Sequence, residues 1–271
     1  MDFYDVLLAK KLGGSGGGSD TSIDYIQEGT MLKNIELHYT IPNSVDSIYG
    51  STSSDELLPF KDNEWLTSVK MPSTIHKLPK YCFSGCKNLR EIDGFSNITS
   101  FEDYSLQNCS SLTGTLDLSN CIDTSIGSQF VRSGFSKIIL PSNIKKLNTY
   151  AFQNMVNLTT VEFPELVDSS ASYVTDYFYG TQVFGGCTSL QEVTLPKNVT
   201  KLGSLTFNNC TSLRKITLPV SAIVSINSTS SPPLRGVPED CAIYVPSSLL
   251  DSYKTNSFWS ARADYIQAIP S

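Results

Sequence analysis

Leu190 to Cys210 reads LQEVTLPKNVTKLGSLTFNNC, and the spacing of its apolar residues decides the fold. Val193 and Leu195 alternate with polar neighbours, so a short strand turns both side chains to one face. Pro196 then ends the strand, because it has no N–H to donate. Val199 and Leu202 bring the chain back to the same interior. The residue pair ending in Phe207 closes the loop of chain through a tight helical turn, with the ring filling the corner.

The same grammar recurs. Leu66, Leu89, Leu112, Phe135 and Leu158 are 23 residues apart, and Leu190 and Leu213 repeat that step after one insertion. One copy runs Leu66, Val69, Met71, Pro72, Ile75, Leu78, Cys82, Phe83, Cys86; another runs Phe135, Ile138, Leu140, Pro141, Ile144, Leu147, Ala151, Phe152. Two copies deviate, one by shifting its inward residue to Phe95 and the next by using Leu116 and Leu118. A fixed period of this length marks a solenoid, in which each coil buries its apolar side only by stacking on its neighbour.

Composition removes several functions. The net charge is -6 and the pI about 5.0, the wrong sign for a phosphate backbone, so nucleic acid is not an expected partner. No apolar run reaches the roughly 20 residues that span a bilayer. Asp2 and Asp5 interrupt the apolar start, and no early basic region precedes it, so this chain as written carries no secretory signal. Of seven cysteines, Cys86, Cys109, Cys187 and Cys210 hold one repeat position, which predicts a ladder of small buried free thiols. The two histidines, His38 and His76, sit at no ligand spacing from a cysteine pair, so neither a metal site nor a cofactor is expected. No histidine-class base falls beside a nucleophile in the pattern, and the chain reads as non-enzymatic.

The organisation follows. Residues 1–12 form a short helix or docking peptide with Tyr4, Leu8 and Leu12 on one stripe, and 13–19 a Gly/Ser linker. Residues 20–63 carry irregular periodicity and are expected to cap the first coil. Residues 64–238 hold the 23-residue repeats, about seven coils. Residues 239–271 form the C-terminal cap, with Ser248 and Asp251 as a capping-box variant opening a helix and Tyr253, Phe258, Trp259, Tyr265 and Ile266 covering the last coil. The expected fold is therefore a right-handed solenoid, mainly β, with a curved parallel sheet of short strands, short helical turns and both ends capped.

The x-F-x-x-C-x-x-L junction, the strand ending in proline and the close Cys241-Ala-Ile-Tyr-Val-Pro246 resemble the BspA-like leucine-rich repeat family, over roughly residues 64–246. The resemblance implies a surface adhesin or host-interaction protein at the bacterial cell surface or outside the cell, binding a protein or a glycan as a monomer. The Leu-Ala-Lys-Lys-Leu start with its glycines also looks like the starts of some prophage-encoded proteins. That leaves an alternative, a structural component docked to a larger assembly through the leading helix.

Two surfaces are candidates for recognition. The exposed strand positions, Ser68 and Lys70, Glu91 and Asp93, Lys137 and Ile139, Thr160 and Glu162, Glu192 and Thr194, and Lys215 and Thr217, make a mixed polar face without aromatic anchors. The insertion after Val167 stretches the interval from Leu158 to Leu190 to 32 residues, 9 beyond the period. It holds Tyr173, Tyr177, Phe178 and Tyr179 among serines and aspartates, the composition of adaptable recognition loops. These rings either meet a ligand or fold back on the core. The stretch Asn227 to Gly236 is expected only to redirect the chain.

Overall fold

The computed structural model describes residues 21–28, 31–48, 60–164 and 180–270. The chain divides into two compact units, Met1–Thr113 and Gly114–Ser271.

In the first unit, β1 (Thr21–Glu28) lies antiparallel on β2 (Met31–Thr40), and β2, β3 (Leu66–Lys70) and β5 (Glu91–Asp93) follow in parallel. The register aligns Tyr39, Val69 and Ile92, all buried. Between β3 and β5, β4 (Lys77–Leu78) begins a second ladder with β6 (Ser100–Phe101). A third ladder runs through the turns. The N–H groups of Tyr81, Phe83 and Gly85 donate to the carbonyls of Asp103, Ser105 and Gln107, one coil on. Three ladders leave few backbone groups unpaired, which is what lets strands of two to five residues persist.

The second unit repeats this plan. Its strand ladder runs β7 (Thr115–Asp117), β9 (Lys137–Ile139), β11 (Thr160–Glu162), all parallel. A second row holds β12 (Glu192–Thr194), β14 (Lys215–Thr217), β16 (Ala242–Val245) and β17 (Ile266–Ala268). Two short pairs, β8 (Ser125–Ile126) with β10 (Lys146–Leu147) and β13 (Lys201–Leu202) with β15 (Ser225–Ile226), form its second ladder. Val193, Ile216, Ile243 and Ile266 stand in register and are buried, as are Leu116 and Ile138. The repeat leucines Leu66, Leu89 and Leu112 of the first unit are buried, and so are Phe135, Leu158, Leu190 and Leu213 of the second.

The proline has a second role beyond ending the strand. The carbonyls of Pro72, Pro141 and Pro196 each accept the N–H of the third residue on, at 3.2 Å, placing Ile75, Ile144 and Val199 inward. Rings stack behind these turns. Phe60 lies 4.9 Å from Phe83 in the first unit; Phe130, Phe152, Phe184 and Phe207 follow at 6.3, 5.5 and 5.6 Å in the second.

The expected helical turn at the phenylalanine is instead a chain of tight reverse turns broken by left-handed residues. Tyr81, Tyr104, Tyr150, Gln182 and Leu205 have φ between +55° and +66°, and so does a second residue four positions on where it is asparagine. Glycine takes that second place at Gly85 and Gly186. Asn and Gly tolerate this region at little cost, whereas tyrosine and leucine do not. The left-handed kinks stop each turn from continuing as a helix and aim alternate N–H groups at the next coil.

Three further expectations change. Phe95 is not the inward residue of its coil: Ile92 is, and Phe95 sits half-buried in a 3-10 turn after the left-handed Gly94. The C-terminal helix α1 (Leu250–Thr255) has no side-chain cap; a 3-10 turn at Ser247–Leu249, following Pro246, leads into it. The stretch up to Gly236 is not a mere redirection. Leu205, Phe207 and Asn209 donate to the carbonyls of Ser231, Pro233 and Arg235, so it forms one more rung of the turn ladder, with Leu234 and Val237 buried and Gly236 at φ +72°. Of the five closing aromatic and aliphatic residues, Tyr253, Trp259 and Ile266 are buried, Phe258 is half-buried and Tyr265 is exposed.

Candidate functional site

The insertion interrupts some ladders and spares another. Pro164 stands just after β11 on the strand side, and Gly180 stands on the turn side, where its N–H donates to the Leu147 carbonyl. A Cβ on Gly180 would fall on the Asn148 carbonyl, so the point of return admits only glycine. From there the turn ladder is regular: Tyr150, Phe152 and Asn154 donate to Thr181, Val183 and Gly185 at 2.7 to 3.0 Å. Phe152 stacks on Phe184 as tightly as Phe184 does on Phe207. The strand ladder, by contrast, stops at β11, which pairs with β9 and not with β12. Val161 on β11 is only half-buried, unlike its counterparts Ile138 and Val193. Tyr173, Tyr177, Phe178 and Tyr179 lie outside the described residues, as do residues 1–12.

The strand face carries charges that pair among themselves. Lys70 meets Asp93 at 3.8 Å in the first unit. In the second, Lys137 meets Glu162 at 2.6 Å and Lys215 meets Glu192 at 3.5 Å. These are exposed cross-strand pairs, each contributing at most about 1 kcal/mol. The face is not free of aromatic anchors. Tyr244 of β16 stands opposite Thr217, and the Lys215 ammonium lies 5.6 Å from its ring centre. It is absent from the strand positions read from sequence because Ala242–Val245, although followed by Pro246 like the other strands, falls in the stretch expected to form the cap; the alternation Ile243, Tyr244, Val245 was the available signal.

A second aromatic pair stands on the turn side of the first unit. Tyr81 and Tyr104 stack at 5.1 Å, with Lys61 and Lys80 at 5.5 and 5.1 Å from the Tyr81 ring. Both tyrosines hold the residue two before the corner position, which also describes Tyr150.

The histidine reading also changes. Nδ1 of His38 lies 2.6 Å from Ser68 Oγ, so a base does stand beside a hydroxyl. The register continues from Ser68 to Glu91, which makes the serine, not the imidazole, the middle member of the row. A carboxylate there cannot orient the imidazole as a hydrolase requires. Strand β3 also has a hydrogen-bonded neighbour on each edge, so its N–H groups serve the sheet and form no oxyanion pocket.

The cysteines are structural donors. All seven are buried free thiols. Sγ of Cys86, Cys109, Cys187 and Cys210 donates to the carbonyl of Phe60, Phe83, Phe152 and Phe184 respectively, at 2.8 to 3.2 Å. Each of these carbonyls also accepts the N–H three residues on, so the thiol fills its second lone pair. Burial pushes Cys86 and Cys210 up to about 12, Cys121 and Cys241 up to about 11, and Cys82, Cys109 and Cys187 well above the ordinary value. A thiol held neutral this firmly is a poor nucleophile near neutral pH. Among the described residues no three His, Cys, Asp or Glu side chains group as a metal site, and no helix is long and apolar enough to cross a membrane.

Short parallel strands in three ladders around a column of rings define a leucine-rich repeat solenoid. The sequence model of the BspA type leucine rich repeat region matches residues 59–179 and 177–231, as six copies. The chain belongs to that family, and its repeats make it an interaction module. A leucine-rich repeat protein from Bacteroides ovatus is 17% identical, with TM-score 0.43 over 91% of this chain and 75% of that one. A leucine-rich repeat protein of T. pallidum is 18% identical, with TM-score 0.44 over 81% and 89%. A leucine rich cell surface protein from Faecalibacterium prausnitzii is 16% identical, with TM-score 0.38; this chain spans 61% of its length, and 77% of this chain aligns. No match was found among curated proteins.

Proposed function

We propose that the chain is a non-enzymatic adhesin-type binding module of a bacterial cell surface, which recognises a protein or glycan as a monomer. The insertion is its recognition element, through Tyr173, Tyr177, Phe178 and Tyr179. One observation supports this assignment. The ring column passes from Phe152 to Phe184 at 5.5 Å, so the column is continuous without a ring from the stretch between Pro164 and Gly180. A stretch rich in tyrosine and unneeded by the column is suited to meet a partner. The surface location rests on the family resemblance.

The test changes the four aromatics to serine and compares capture of host surface proteins and of arrayed glycans with the parent chain. Binding should be lost while the urea midpoint stays within experimental error. Unchanged binding removes the insertion from the site. A midpoint lowered in proportion to buried aromatic area returns the rings to the core.

A further inference from the structure

Six tripeptides of the chain read Asn-x-Ser/Thr with no proline between, beginning at Asn97, Asn108, Asn157, Asn198, Asn209 and Asn227. Such a tripeptide accepts a sugar only where a surface loop presents it, because the transferring enzyme grasps the asparagine amide and the hydroxyl two residues on together. The middle residue separates the six. In the first five it is Ile98, Cys109, Leu158, Val199 or Cys210, each at most 4% exposed. These are inward residues of their coils, so drawing the tripeptide into an enzyme would strip a side chain from the close-packed core. The flanking groups are committed as well. Thr99 Oγ1, Ser110 Oγ and Thr159 Oγ1 donate to the carbonyls of His76, Lys87 and Ser136, one coil back. Asn198 Oδ1 is enclosed, and Asn209 Oδ1 lies where a Cβ on Gly236 would stand.

Asn227 differs on each count. It follows β15, and its N–H donates to the Leu202 carbonyl at 3.1 Å. Asn227 and Thr229 are exposed, and Ser228 between them is half-buried. The Ser228 hydroxyl serves its own loop: it lies 2.9 Å from Ser230 Oγ and accepts the Ser231 N–H at 3.3 Å. Among the described residues neither the Asn227 amide nor the Thr229 hydroxyl has a hydrogen-bond partner.

We propose that Asn227 is a glycan attachment site of the folded chain, taking a hexose from a nucleoside diphosphate donor. Asn227 Nδ2 attacks the anomeric carbon of the sugar. The bond from that carbon to the diphosphate oxygen breaks, its electron pair leaves with the nucleoside diphosphate, and the proton lost from Nδ2 passes to a carboxylate of the transferring enzyme. The exposed Thr229 hydroxyl is the second group that the enzyme grasps. The backbone bond to Leu202 holds the acceptor without burying it, so attachment requires no coil to open.

The experiment incubates the folded full chain with UDP-glucose and a soluble glucosyltransferase that reads Asn-x-Ser/Thr, and maps the products by peptide mass spectrometry. Parent chain, Asn227→Gln, Thr229→Ala and Asn157→Gln are compared, with a tryptic digest of the parent as the unfolded reference. One hexose per folded chain is expected, at Asn227. Asn227→Gln should abolish the addition, Thr229→Ala should remove most of it, and Asn157→Gln should leave it unchanged. The digest should take glucose at other Asn-x-Ser/Thr tripeptides as well, since only the fold withholds them. No addition to the folded parent, addition that persists in Asn227→Gln, or a digest modified at Asn227 alone overturns the inference. None of these results touches the binding-module reading, whose test is capture of a partner through the insertion.

Discussion

The indole N–H of Trp259 donates to the carbonyl of Val224 at 2.9 Å, while the Val224 N–H donates to the Tyr253 hydroxyl at 2.9 Å. The two rings lie 5.5 Å apart, both buried, and together satisfy both backbone groups of one residue. Val224 immediately precedes β15, where the second ladder meets the closing helix. Trp259→Phe keeps most of the apolar area but leaves a carbonyl unpaired. A loss of about 1 to 3 kcal/mol is expected in urea denaturation, with a smaller loss for Tyr253→Phe.

Gly186 occupies φ +77°, and a Cβ there would fall on Oδ1 of Asn154. The same relation links Asp62 to Gly85 and Asn209 to Gly236. Each short polar side chain thus lies where the next coil has none. Gly186→Ala should destabilise through both the clash and the left-handed φ. Adding Asn154→Gly should remove the clash and leave the φ cost of about 1 to 2 kcal/mol. A double-mutant cycle measures the difference, and additive losses would show that the two positions do not touch.

The thiols set an alkaline limit. In the unfolded chain they ionise near the ordinary thiol value of 9.0, whereas Cys86 and Cys210 in the folded state hold their protons to about 12. Between these values the folded state binds more protons, so stability is full below pH 9 and falls as pH rises toward 12, by about 1.4 kcal/mol per pH unit per thiol. Urea midpoints at pH 7, 9 and 10.5 should show the decline. Cys86→Ala with Cys210→Ala should make it shallower by the share of those two thiols, the other five still contributing, while lowering stability at pH 7.

The same burial predicts chemical silence. Iodoacetamide at pH 8 should label none of the seven cysteines of the folded chain and all of them in urea, as read by mass spectrometry. Rapid labelling of Cys187 or Cys210 in the native protein would contradict their place in the column.

Phe184 is buried and packs between Phe152 and Phe207. Phe184→Ala should cost about 3 to 5 kcal/mol. Because nearest-neighbour contacts dominate in a repeat array, the loss should appear in hydrogen exchange first at the turns around Phe152 and Phe207.

The strand residues Val193 and Ile216, the terminating prolines and the ring corner were legible because each follows from alternation or a missing donor within a few residues. The left-handed Asn and Gly positions carried a signal too, in Asn154, Gly186 and Asn209 spaced with the repeat. Phe95 misled because its ring outweighed Ile92 in a pattern count, although Gly94 had already turned the chain. Of the candidate site, the strand-face charges were readable as residues, but Tyr244 joined them only once β16 was placed in register with β14.

Local sequence determined the coil: its period, the side chains it buries, where its strand stops and why a small thiol suits its corner. Each of those depends on backbone preferences and on apolar groups a few positions apart. The tertiary structure alone decided which residues meet across coils. It put His38 beside Ser68, closed Trp259 and Tyr253 on Val224, and carried the Phe152–Phe184 contact past the insertion. Such meetings depend on stacking order and register, quantities that no window of neighbouring residues contains.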